Sequence, residues 1–67
     1  MDIFTERLRA ALKNNGTSTA ELARRLLMPY TTVASWTSGK SRPDYETLIK
    51  VSKILDETVD YLIGNDN

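Results

Sequence analysis

A chain of 67 residues with 40% hydrophobic and 27% charged side chains has the make-up of one small globular domain, too short for a second. It contains no Cys and no His, which excludes a disulfide framework and removes the commonest zinc ligands and the commonest general base. Nine basic residues balance nine acidic ones, yet residues 1–43 hold seven basic against three acidic, a net +4, and residues 44–67 two against six, a net −4. Such a division either orients the molecule toward an anionic partner or leaves two solvated surfaces. No apolar run approaches the roughly 18 residues of a membrane helix, and the N-terminus lacks the apolar core of a signal peptide. The expectation is a cytosolic protein.

Five helices and no strand are predicted, an all-α fold. The first covers about residues 2–14, where Phe4, Leu8, Ala11 and Leu12 recur at helical spacing. Asn14, Asn15 and Gly16 end it, because Asn and Gly tolerate the left-handed backbone of a helix C-terminus. Ser18-Thr19-Ala20-Glu21 matches a capping box, so the second helix starts at about Thr19 and runs to Leu26 or Leu27. Pro29 suits the first turn of a third helix over about Pro29–Thr37, closed by Gly39. Thr31, Thr32 and Val33 are β-branched, so tertiary packing must hold this helix. A fourth helix follows the N-cap Asp44 and turns Leu48, Val51, Ile54 and Leu55 inward. A short fifth is capped by Thr58 and carries Val59, Leu62 and Ile63, and Gly64 to Asn67 form a tail.

The second and third helices carry the functional signal. Leu22, Ala23, Leu26, Met28, Val33 and Trp36 fall where a helix pair joined by a tight turn must bury apolar side chains. Tyr30, Thr31, Thr32 and Ser35 leave a polar front on the third helix. A helix with a buried back and a hydrogen-bonding front can enter the DNA major groove, and residues 19–38 form the candidate helix-turn-helix. Free amides at the start of the second helix favour a phosphate beside Thr19. The competing reading makes Thr19 a helper of the cap.

On the segments Ser18–Ala23, Thr32–Lys40 with Pro43, and Asp60–Gly64, the chain resembles the phage Cro and lambda-repressor-like helix-turn-helix family. The likeness spans nearly the whole chain and implies a compact five-helix domain that binds double-stranded DNA as a phage or bacterial transcriptional regulator. A Cro- or repressor-type protein blocking promoter access is the expected role. Transferred position by position, the resemblance implies base contacts from Tyr30, Thr31 and Ser35. It implies phosphate contacts from Thr19, Thr32, Ser38, Lys40 and Arg42. It also implies weak pairing of two copies on a pseudo-palindromic operator, with Val59, Tyr61 and Ile63 as candidates unless they only complete the monomer core. No cofactor, metal or small-molecule substrate is implied, and no enzyme activity.

Two departures from the family pattern bear on these expectations. Leu27 stands in the turn where the family usually has Gly, and a turn altered by Pro29 is expected in place of a positive φ at Leu27. The front of the third helix has no Arg, Asn or Gln, so bidentate reading of guanine or adenine is unavailable and DNA shape gains weight. A protein-interaction module or antitoxin with the same fold is the alternative, and it lacks an extended partner-wrapping segment here. The chain reads either as a complete Cro-like regulator or as an amino-terminal domain whose linker starts at Asn65-Asp66-Asn67.

Overall fold

The computed structural model describes residues 2–66, so Asn67, the last residue of the expected tail, lies outside the described residues. Five helices follow in chain order: α1 (Ile3–Asn15), α2 (Thr19–Leu26), α3 (Tyr30–Thr37), α4 (Tyr45–Ile54) and α5 (Val59–Ile63). None of the described residues lies in a strand, and no helix among them is long and apolar enough to cross a membrane.

The helix starts follow capping chemistry. The side chains of Asp2, Ser18, Asp44 and Thr58 accept from the backbone amides of Thr5, Glu21, Thr47 and Tyr61 at 2.8–3.0 Å. Only half of the expected capping box forms. The Glu21 carboxylate turns away from Ser18 and faces Arg25 at 3.2 Å and Arg24 at 3.6 Å. Pro29 stands one position before the helix it was expected to begin. It is the N-cap of α3, gives no side-chain cap, and its carbonyl accepts from Thr32 at 3.1 Å.

The turn between α2 and α3 corrects the expectation at Leu27. This residue does take the left-handed conformation, φ 57° and ψ 42°. The amide of Met28 donates to the Ala23 carbonyl at 3.0 Å and that of Leu27 to Arg24 at 3.1 Å, a Schellman-type close. Those bonds satisfy the free carbonyls at the end of α2 and send Met28 back against the core. The Leu27 side chain is left 91% exposed.

Leu8, Leu22, Val33, Val51, Leu55 and Leu62 are almost fully buried and form the centre, with Phe4, Ala11, Leu12, Ala23 and Trp36 around them. Each large apolar side chain so buried contributes about 1.5–3 kcal/mol before chain entropy is subtracted. The helices α2 and α3 pack on each other, α1 lies against α3 and α5, and α4 against α2 and α5. Three side chains of α1 tie the bundle by donating to carbonyls near the ends of other helices. Arg9 Nε reaches Thr37 at 2.7 Å, Asn15 Nδ2 reaches Leu55 at 3.3 Å, and Arg7 Nη1 reaches Tyr61 at 2.8 Å. A cation at a helix C-terminus also opposes the negative end of the helix dipole.

Candidate nucleic-acid interface

The back of α3 is anchored by Val33 and by Trp36, which is only 2% exposed. Helical geometry then fixes what its front presents. Thr31, Ser35 and Ser38 follow one another at four- and three-residue steps, so they form one stripe. Tyr30 stands beside the start of this stripe and is 57% exposed. Thr31 and Ser38 are exposed, whereas Thr32 and Ser35 are half-buried. Thr19 is half-buried at the first position of α2, where the helix offers unpaired amides.

Past α3 the chain folds back on Ser35. The Ser35 carbonyl accepts from the amides of Lys40 at 2.9 Å and Ser41 at 3.3 Å, and from the Ser38 hydroxyl at 3.1 Å. Gly39 makes this reversal with φ +85°, a conformation that side chains with a Cβ rarely adopt. The loop thereby fixes Lys40 and Arg42, both exposed, beside the C-terminal end of α3. The Ser35 hydroxyl donates to the Thr32 carbonyl at 2.6 Å and also touches the Ser41 hydroxyl.

Arg42 is not free. Its guanidinium donates to the Asp2 carboxylate, which also caps α1. The bond from the Thr5 amide holds the Asp2 carboxyl below its ordinary pKa, and Arg42 adds to that effect. An exposed pair of this kind contributes little to stability.

The structure therefore brings Tyr30, Thr31, Thr32, Ser35, Ser38, Lys40 and Arg42 onto α3 and the loop that follows it. Sequence reading missed three contributors. Asp2 holds Arg42, Arg9 caps α3, and Ser41 contacts Ser35. Asp2 and Arg9 act across 40 and 28 residues of chain, with no local pattern to announce them. The run Ser38-Gly39-Lys40-Ser41 is a turn signal that points to a loop folding back, and it was the one available clue to Ser41.

The proposed pairing residues lie on α5. Val59 and Tyr61 are half-buried, and the Tyr61 ring lies under the Arg7 guanidinium, 4.4 Å from centroid to carbon. Ile63 and Ile3 are each 45% exposed. Together with Phe4, Arg42, Pro43 and Leu48 they line a cleft of about 160 Å³.

Comparison with known proteins agrees with this geometry. A helix-turn-helix family profile matches residues 8–62. The chain is 31% identical over 65 residues to the uncharacterized HTH-type transcriptional regulator YqaE of Bacillus subtilis, a match covering 97% of this chain and 56% of that protein. It is 30% identical over 63 residues to the HTH-type transcriptional activator BcrR of Enterococcus faecalis, covering 94% of this chain and 31% of that one. The chain thus spans about half of the first relative and a third of the second. No solved structure matches significantly. The match from α1 to α5, which includes the whole α2–turn–α3 unit, shows that the protein belongs to the lambda-repressor-like helix-turn-helix family of DNA-binding transcriptional regulators.

Proposed function

We propose that this domain binds specific sites on double-stranded DNA by laying α3 in the major groove, and that it acts as a repressor by blocking promoter access. The observation that carries this reading is the hydroxyl-bearing front of α3, backed by buried Val33 and Trp36 and flanked by exposed Lys40 and Arg42. Tyr30, Thr31 and Ser35 meet base edges. Thr19, Thr32, Ser38, Lys40 and Arg42 meet phosphates, which supply affinity without sequence information. Ser38 must first release the Ser35 carbonyl, and Arg42 must exchange Asp2 for a phosphate.

Two copies pair weakly on the operator through Val59, Tyr61 and Ile63. The exposed apolar pair Ile3 and Ile63 supports an apolar contact at this end of the molecule. Selection from a random duplex pool at about 100 mM salt, followed by sequencing, tests the reading. Two inverted half-sites about 34 Å apart are expected. A single half-site contradicts the pairing, and a pool with no enriched sequence contradicts specific recognition altogether.

A further inference from the structure

The hydrogen bonds around Ser35 fix where its proton points. A serine hydroxyl has one proton and two lone pairs, and a backbone carbonyl can only accept. The bond to the Thr32 carbonyl at 2.6 Å therefore uses the Ser35 proton. In the contact between Ser35 and Ser41, Ser41 must then be the donor. The neighbouring hydroxyls are turned the same way. Ser38 donates to the Ser35 carbonyl at 3.1 Å, and Thr37 donates to the Ala34 carbonyl at 3.0 Å. All four hydroxyl protons between Ser35 and Ser41 are spent on the protein itself. Ser38 gives up its bond when it meets a phosphate, whereas Ser35 keeps its proton on Thr32 and has a lone pair left for a base.

We propose that Ser41 is a specificity-determining residue. By donating to Ser35 it makes the Ser35 hydroxyl a hydrogen-bond acceptor, which selects adenine or cytosine over guanine or thymine at the base facing Ser35. This rests on the reading of α3 as the major-groove helix. In that groove the exocyclic amines of adenine and cytosine donate, whereas guanine O6 and N7 and thymine O4 accept. Acceptor facing acceptor leaves both unpaired once water is excluded, so the wrong base is disfavoured as well as the right one favoured. Ser41 acts through Ser35. A hydroxyl that accepts a bond becomes a stronger donor, so Ser41 tightens the hold of the Ser35 proton on Thr32. Without Ser41, the Ser35 hydroxyl is freer to turn outward and donate to a keto base.

Competition binding with duplexes in which each position of the selected site is set in turn to all four bases tests this, using the wild type, Ser35→Ala and Ser41→Ala. Ser41 is exposed and its amide keeps its own bond to Ser35, so Ser41→Ala retains the fold and the loop. At one position the wild type is expected to favour adenine and cytosine by about fivefold. Ser35→Ala abolishes that preference, and Ser41→Ala lowers it to about twofold. Loss of affinity that is equal for all four bases reports a loosened loop and leaves the ratio unchanged, so it counts against the proposal. A preference for guanine or thymine at the position that Ser35→Ala flattens overturns it. An unaltered ratio in Ser41→Ala overturns the role of Ser41 while leaving DNA binding intact. Failure of the wild type to bind any duplex, even at low salt, overturns the DNA-binding reading itself and this inference with it.

Discussion

Leu27 carries a conformation that most side chains avoid. A left-handed backbone at a residue with a Cβ costs roughly 1–2 kcal/mol, and the exposed Leu27 side chain recovers little of it through packing. The conformation persists because the Schellman bonds close α2 and return Met28 to the core. Leu27→Gly removes the steric cost but adds unfolded-chain entropy, so a net gain of about 1 kcal/mol is expected. In thermal unfolding followed by circular dichroism this appears as a Tm higher by about 4–8 °C. A Tm that stays level or falls shows that Leu27 makes a contact its exposure conceals. The position of the turn was legible from the end of the α2 pattern and from Pro29. The backbone angle was not, because a Leu gives no local sign of a left-handed conformation, which the close of α2 and the return of Met28 to the core impose together. Ser35 was legible as a front residue from its spacing, whereas the direction of its proton depends on Ser41 and on a carbonyl one turn back.

The helices differ in how much of their stability is local. The helices α1 and α4 begin at aspartates whose carboxylates accept from backbone amides, and those bonds hold the carboxyls of Asp2 and Asp44 below their ordinary pKa. A carboxyl with a lowered folded-state pKa contributes stability that is complete above its unfolded value of about 4 and is lost as pH falls through the folded value. Asn caps a helix nearly as well as Asp but does not titrate in this range. Asp2→Asn with Asp44→Asn is therefore expected to flatten the fall in urea midpoint below about pH 4 while changing it little at neutral pH. An acid dependence as steep as that of the wild type contradicts the assignment of these caps. By contrast α3 has no side-chain cap and a β-branched run, and it is held by Val33 and Trp36 from behind and Arg9 at its end. The starts of α2, α4 and α5 were readable because caps are local signals, and that of α1 was placed within a residue by its apolar spacing although its cap Asp2 was not read. The start of α3 was misplaced by one because proline is favoured at more than one position of a helix N-terminus.

Across the whole molecule, the all-α architecture was legible because every apolar stripe has helical spacing and the stripes together fill one core. The ties from α1 to α3, α4 and α5 were not legible, since Arg9, Asn15 and Arg7 reach partners 28, 40 and 54 residues away. The charge division has a partial structural counterpart. Lys40 and Arg42 stand at the α3 end, with Arg42 held by Asp2, while Arg24 and Arg25 are drawn to Glu21 on α2 and Arg7 to Asp66 beyond α5. On the proposed reading, attraction to DNA rests on few side chains at this face, and the overall charge of zero adds no general pull. The central claim is that α3, the start of α2 and the loop after α3 form one DNA-binding face. Amide chemical shifts recorded while a selected duplex of about 20 base pairs is titrated into the labelled protein test it most directly. The account predicts saturable shifts concentrated at Thr19, at Tyr30 to Ser35 and at Ser38 to Arg42, with α4 little changed. Shifts concentrated on α4, or none that saturate with DNA, contradict it.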